Sequence, residues 1–125
     1  MFARLMGLKV ISPADLNRLV AKDQVTVIDV NSRESWAKAH VPGAANLDPV
    51  DYAPADLPAD KDAPIVFYCS GQLCRKAPNA AKRAEKLGYR DVRVMSAGIN
   101  GWVGAKLPSE TAREGRHPLD NYRVK

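Results

Sequence analysis

The chain has 125 residues, of which 46% are hydrophobic and 26% are charged, and it carries a formal net charge of +5 at pH 7. This length suits one compact domain over residues 1–125 and leaves no room for a second one. The mild basic excess would attract small anions, but no run of basic residues interleaved with aromatic ones is present, so we expect no nucleic-acid surface.

The first half of the chain contains two helix starts and one buried strand. Ser12 can cap a helix that begins at Pro13, because proline is tolerated in the first helical turn. Ser32 can cap a second, shorter helix. The segment VTVIDV is apolar enough for a buried strand. After the first helix, the predicted elements are a strand over 25–30, a helix over 33–39, an extended piece over 44–47 and a proline-rich surface connection over 48–64.

The second half contains a short continuous apolar run, IVFY, at residues 65–68. Such a run is typical of a central parallel strand that is covered on both faces. After it come, in chain order, a helix over 77–87, a strand over 92–95 and a helix over 99–105. Gly88 has the position of a left-handed helix C-cap. The alternation predicts an α/β domain with a mostly parallel sheet, a core over about residues 8–107 and a C-terminal arm over 108–125.

Cys69 directly follows the predicted central strand, and a helix begins a few residues later. In open α/β sheets, ligands bind beyond the carboxyl ends of the strands. The N–H groups of the loop, the N-terminus of the next helix and the charges of Arg75 and Lys76 would favour a thiolate, and so lower the pKa of the Cys69 thiol. A thiolate is the form that attacks sulfur. The alternative is that Cys69 is only a small buried apolar residue.

Five short motifs in the same order resemble the rhodanese family. They read Ile28-Asp29-Val30 with Glu34 and Trp36, then His40-Val41-Pro42-Gly43-Ala44 with Asn46, then Tyr68-Cys69-Ser70-Gly71, then Ala80-Ala81 with Leu87-Gly88-Tyr89 and Val92, and last Ala97-Gly98 with Gly101-Trp102. The resemblance implies a rhodanese-like α/β fold, with a sheet of five or so mostly parallel strands and helices on both faces. It also implies that Cys69 accepts sulfur from a donor such as thiosulfate and passes it to a thiol or to cyanide.

The loop after Cys69 departs from the family pattern. The common rhodanese loop carries Arg five residues after the cysteine, but here Cys74 occupies that place and the Ala-Ala landmark comes late. Asn31, Ala39 and Ala97 also replace the residues that are usual in the family. The loop is therefore enlarged and resembles a subgroup of rhodanese-like domains with a second cysteine.

The main functional expectation is a rhodanese-type sulfurtransferase of sulfur metabolism. Cys69 is the predicted nucleophile and carries the sulfur as a persulfide. The donor is expected to be a small anion, and the acceptor a thiol, with a protein thiol as a further option. The predicted binding residues are Ser70, Gly71, Gln72, Leu73, Cys74 and Arg75. Cys74 has a second predicted role as a resolving residue that attacks a Cys69 persulfide and leaves a disulfide, unless it merely packs at the start of the helix.

Two other functions remain open. The spacing from Cys69 to Arg75 also matches a cysteine phosphatase or arsenate reductase on the same fold, in which a thiolate attacks phosphorus while a guanidinium and loop amides hold three oxygens. Against this, no Ser or Thr follows Arg75. The third hypothesis is a non-catalytic binding or regulatory module.

We expect neither a metal nor a cofactor. The candidate ligands Cys69, Cys74, His40 and His117 lack the paired spacing of a zinc site. His40 is expected to be a hydrogen-bonded structural residue, and Asp29 to accept hydrogen bonds from loop backbone.

The sequence also predicts a cytoplasmic protein with no membrane association. No apolar run approaches the roughly 20 residues that cross a bilayer. Arg4 and Lys9 interrupt the apolar start, and no small-residue cleavage site follows them, so we expect no secretion signal. Two cysteines are too few for the disulfide framework of a small secreted protein.

Overall fold

The computed structural model describes residues 2–112, and within them the strands form one parallel sheet in the order β1-β5-β4-β2-β3. The five strands are β1 (Lys9–Val10), β2 (Thr26–Asp29), β3 (Ala45–Asn46), β4 (Ile65–Tyr68) and β5 (Val92–Val94). The helices are α1 (Phe2–Leu5), α2 (Pro13–Ala21), α3 (Arg33–Lys38), α4 (Lys76–Lys86) and α5 (Gly98–Gly104), with a short 3-10 helix over Pro54–Asp56. The predicted α/β class with a parallel sheet is confirmed.

Local side-chain chemistry explains where the helices begin and end. The Ser12 hydroxyl accepts a hydrogen bond from the Asp15 N–H at 3.1 Å, and the Ser32 hydroxyl accepts one from the Ser35 N–H at 3.2 Å. Both caps satisfy an N–H group that has no partner within its helix. Gly88 follows α4 with φ of 101°, the left-handed geometry predicted for it.

Apolar side chains cover both faces of the sheet. Ile65 and Phe67 of β4 pack with the alanine-rich face of α4, whereas Val66 and Tyr68 pack with Leu16 of α2 and with α5. All four residues of β4 are buried, as expected for a central strand. Trp36 and Trp102 are completely buried. Cys69 continues the alternation of β4 and lies on the α4 face.

The connection predicted over residues 48–64 is anchored at two points. Tyr52 and Leu57 are buried, and the Tyr52 hydroxyl donates to the Ala80 carbonyl of α4 at 2.8 Å. The segment therefore covers the α4 side of the core, in addition to linking β3 to β4.

Part of the predicted arm lies against α3 and the turn that follows it. The N–H of Gly43 donates to a Glu110 carboxylate oxygen at 2.9 Å, and Glu110 forms an antiparallel bridge with His40. The indole N–H of Trp102 donates to the Pro108 carbonyl at 2.7 Å. The rest of the predicted arm, including His117, lies outside the described residues. Over residues 2–112, no helix combines the length and the apolar character needed to cross a membrane.

Candidate functional site

Cys69 directly follows β4, the central strand, at the carboxyl end of the sheet. Strands β5 and β2 flank β4 on its two sides. The Cys69 side chain is only 2% exposed. The cysteine thus lies in the crevice region where parallel α/β sheets bind ligands.

Cys69 and Cys74 form a disulfide, and their Cα atoms are 6.4 Å apart. That separation falls within the ordinary range for bonded cysteines. The loop between them curls back on itself, because the Cys74 N–H donates to the Gly71 carbonyl at 3.2 Å. The structure therefore shows that the two sulfur atoms can approach each other, which the sequence could not show. The predicted cradle of loop amides around a Cys69 sulfur anion stays a prediction, because this Sγ is bonded to Cys74.

Helix α5 holds the first two carbonyl groups of the loop. The Ile99 N–H donates to the Cys69 carbonyl at 2.9 Å, and the Asn100 N–H donates to the Ser70 carbonyl at 3.0 Å. No peptide bond among the described residues is cis, and in a trans peptide the C=O and N–H groups point to opposite sides. The N–H groups of Ser70 and Gly71 therefore point away from α5.

This contact requires glycine at position 98. Gly98 has φ of +64°, and a Cβ built on it would lie 2.4 Å from the Ser70 carbonyl carbon and 2.5 Å from the Gly71 nitrogen. A side chain would displace the loop backbone that carries Cys69. At Gly101 a Cβ would lie 2.4 Å from the Cβ of Ala97, so Gly101 makes room for the alanine that replaces the usual family glycine.

A small cleft lies beside Cys69 in this disulfide form. Its volume of about 10 Å³ is no more than one water molecule needs. It is lined by residues of the loop, of α1, of the first turn of α4 and of the end of β5: Phe2, Ala3, Cys69, Gly71, Gln72, Cys74, Ala77, Pro78, Val94, Met95 and Ser96. No residue of α5 belongs to this lining; α5 contacts the loop through the Cys69 and Ser70 carbonyls.

Ser96 is a candidate site residue that the sequence analysis missed. It lines the cleft, and its buried hydroxyl oxygen has no hydrogen-bond partner within residues 2–112. A buried hydroxyl without a partner is costly, so a group that binds in the cleft could satisfy it. Its position after β5 was the available sequence signal, because residues at the ends of neighbouring parallel strands meet at one edge of the sheet.

The basic residues after Cys74 point in two directions. The guanidinium carbon of Arg75 lies 4.3 Å from the centre of the Phe2 ring, and Phe2 lines the cleft. Lys76 instead lines a separate depression with Asn31 and Arg33. Of the other predicted binding residues, Ser70, Gln72 and Leu73 are exposed, and Leu73 is the most exposed of them at 78%.

A buried polar pair lies next to Cys69 on the two central strands. Asp29 ends β2 opposite Tyr68, and both side chains are buried. Burial raises the pKa of the Asp29 carboxyl to about 6, although hydrogen bonds from Tyr68 and Asn31 act to lower it. Burial and the charge of Asp29 raise the pKa of Tyr68. The Asn31 N–H donates to Asp29 Oδ1 at 2.7 Å, which confirms that Asp29 accepts hydrogen bonds from loop backbone.

His40 has the partners of a structural residue. Its ring is stacked on Trp36 with a centroid distance of 4.2 Å, and Nδ1 lies 2.6 Å from the Trp36 carbonyl. Nε2 is 3.8 Å from a Glu110 carboxylate oxygen. Over the described part of the chain, no group of three or more His, Cys, Asp or Glu side chains could hold a metal ion.

One family model, described as the rhodanese-like domain, matches residues 12–105. The uncharacterized protein YibN of Escherichia coli (strain K12) is 33% identical over 104 residues, which are 80% of this chain and 71% of that protein. The thiosulfate sulfurtransferase GlpE of Pseudoalteromonas translucida is 28% identical over 100 residues, which are 80% of this chain and 93% of that protein.

Among solved structures, the thiosulfate sulfurtransferase of Pseudomonas aeruginosa superposes with a TM-score of 0.72. It is 26% identical, and the match covers 94% of this chain and 22% of that one.

Proposed function

Because the chain belongs to the rhodanese-like domain family, we propose that it is a sulfurtransferase that carries sulfane sulfur as a persulfide on Cys69. The observation that carries the proposal is the position of Cys69: it lies at the carboxyl end of the central strand, with the carbonyls of Cys69 and Ser70 held by α5. A relative of 28% identity that is named a thiosulfate sulfurtransferase supports this reading.

The loop backbone would stabilise the charged forms of the sulfur. Since the Cys69 and Ser70 carbonyls are bonded to α5, they cannot turn their negative ends toward the thiolate. The opposite sides of the same peptide units present the N–H groups of Ser70 and Gly71. N–H groups aimed at an anion lower the pKa of a thiol and stabilise a terminal persulfide.

Two side chains would complete the binding of an anionic donor. The unpartnered Ser96 hydroxyl can donate to the sulfane sulfur, because it lines the same cleft as Cys69. Arg75 lies over Phe2, which lines the cleft, and would attract a donor such as thiosulfate. The thiolate then attacks the outer sulfur and sulfite leaves, so that one sulfur atom remains on Cys69. The acceptor would be a small or protein thiol, in a cytoplasmic pathway of sulfur metabolism.

Persulfide loading tests the proposal most directly. The Cys74→Ser variant is used, because its Cys69 cannot be trapped as the intramolecular disulfide. The reduced variant is incubated without oxygen with thiosulfate or glutathione persulfide, and its intact mass is measured. We expect the protein to gain the mass of one sulfur atom, and peptide mapping to place it on Cys69. The matched Cys69→Ser/Cys74→Ser double variant should gain nothing. Absence of a gain with both donors would refute the proposal.

The other hypotheses have separate tests. A phosphatase would use Arg75 to hold a tetrahedral anion, and phosphate-ester hydrolysis that is lost in Arg75→Lys would favour it, since Lys cannot make the bidentate contact. If the protein is a regulatory module, cells that carry the Cys69→Ala variant should keep the phenotype of the wild type. No contact in the described residues favours either reading over sulfur transfer.

A further inference from the structure

We propose that Cys74 is the acceptor that discharges the Cys69 persulfide within the same chain, so that the protein releases sulfide and ends as the Cys69–Cys74 disulfide. This inference rests on the proposed function, because it needs a sulfur atom on Cys69. It makes the protein a sulfide-releasing enzyme that depends on an external dithiol, in place of one that hands its sulfur directly to an external acceptor.

The first argument is proximity. The disulfide shows that Cys74 Sγ reaches Cys69 Sγ without unfolding the loop, across a Cα separation of 6.4 Å. The turn closed by the Cys74 N–H and the Gly71 carbonyl holds the second cysteine at this distance. A thiol held next to its target reacts as if it were present at very high concentration. Cys74 therefore competes well against any thiol that must arrive from solution.

The second argument is access. Cys69 is only 2% exposed in the disulfide form, and the adjoining cleft has a volume of about 10 Å³. In this arrangement of the loop, the space beside Cys69 is too small for an external thiol such as glutathione. Cys74 is itself part of the cleft wall, so it approaches Cys69 Sγ from inside the site. As the loop returns to the observed arrangement, Cys74 is the thiol that meets the inner sulfur.

The step conserves atoms and electrons. The Cys74 thiolate attacks Sγ of Cys69, a bond forms between the two Sγ atoms, and the bond from Cys69 Sγ to the outer sulfur breaks. The outer sulfur leaves with the bonding electron pair as hydrosulfide. The two cysteine sulfurs are thereby oxidised to a disulfide, and the sulfane sulfur is reduced to sulfide.

A dithiol reductant would reset the enzyme. Cys74 is partly buried, whereas Cys69 is almost fully buried, so an external thiolate reaches Cys74 Sγ more readily. Attack there expels Cys69 as a thiolate, which is the leaving group that the loop amides would stabilise. The second thiol of the reductant then releases Cys74 and forms the reductant's own disulfide. With thiosulfate as donor, the cycle converts thiosulfate and a dithiol into sulfite, sulfide and a disulfide.

Single-turnover measurements test the inference. The reduced wild type, Cys74→Ser and a control variant, Lys86→Ser, are freed of reductant and mixed without oxygen with thiosulfate or glutathione persulfide. Lys86 is exposed in the last turn of α4, far along the chain from the loop. Released sulfide and intact protein mass are measured together. The absence of oxygen ensures that any disulfide formed comes from the persulfide and not from air.

We expect the wild type and the Lys86→Ser control to release one sulfide per chain and to lose the mass of two hydrogen atoms. Cys74→Ser should keep the mass of one added sulfur and release at least about tenfold less sulfide. A wild type that keeps the added sulfur and both thiols would overturn the inference while leaving the proposed function intact. If neither the wild type nor Cys74→Ser takes up sulfur or releases sulfide, the proposed function fails as well.

Discussion

Replacing Asp29 with Asn should make the protein increasingly stable relative to the wild type as the pH rises from 4 toward neutrality. Asp29 ends β2 next to the strand that carries Cys69, and its side chain is fully buried. Burial raises the pKa of its carboxyl from 3.8 to about 6. The folded protein therefore holds this proton more tightly than the unfolded chain does. As the pH rises above 3.8 toward about 6, the folded state loses stability, and above that range the full cost of the buried charge is present.

The size of the effect follows from the two pKa values. A difference of one pKa unit corresponds to about 1.4 kcal/mol, so ionisation of Asp29 costs the folded state about 3 kcal/mol. Asn has the same shape, keeps an oxygen that can accept from the Asn31 N–H, and carries no charge. About 0.5 kcal/mol of this cost is already present at pH 4, so the variant should gain about 2.5 kcal/mol relative to the wild type between pH 4 and pH 7.5, whatever its offset at pH 4.

Urea unfolding of the disulfide-bonded protein at several pH values between 4 and 7.5 measures this difference, with the redox state held fixed so that the two-state treatment applies. Asp51→Asn is the matched control, because Asp51 is exposed. Its stability should follow that of the wild type across the range. If the difference in the free energy of unfolding between Asp29→Asn and the wild type stays constant from pH 4 to 7.5, ionisation of Asp29 does not destabilise the folded state. The reasoning is then wrong.

Three further changes have expected outcomes. Gly98→Ala should lower the free energy of unfolding by about 1–3 kcal/mol and reduce persulfide loading, because its Cβ would collide with Ser70. A stable variant that is loaded as well as the wild type would contradict this. Ser12→Ala should cost about 1 kcal/mol in urea unfolding and leave loading unchanged, because only the α2 cap is lost. Arg75→Ala should raise KM for thiosulfate several-fold with little change in kcat, and a fall in kcat at constant KM would argue against donor attraction.

The larger elements could be predicted because each has a local signal. The buried run of β4 and the serine caps of α2 and α3 follow from residue type and spacing alone. Helix α1 and strand β1 were not predicted, since four and two residues are too few to show a period. Ala3 of α1 is 1% exposed only because the rest of the fold covers it.

The parts of the site that are consecutive in the sequence could be predicted. Cys69 and the loop after it were found from the strand end and the motif, but which groups meet Cys69 depends on distant segments. Arg75 lies over Phe2 because α1 packs at the cleft, and Ser96 lines the cleft because β5 is adjacent to β4. The need for glycine at position 98 arises from contact with a loop nearly thirty residues earlier in the sequence. No local pattern carries this information.

The loop divides into two halves that suit two different tasks. Cys69 and Ser70 are tied to α5 through their carbonyls, so the nucleophile keeps its position. Cys74 has no such bond to α5: apart from its disulfide, its N–H donates to the Gly71 carbonyl of its own loop. In the disulfide form the cleft is too small for thiosulfate, and the donor would react with the reduced form, in which Cys74 is released from Cys69. Movement of the Cys74 half would open the cleft without displacing Cys69 or the amides beside it, and its return would bring the second thiol onto the loaded sulfur. In this scheme one movement of Cys74 would both admit the donor and set up the discharge.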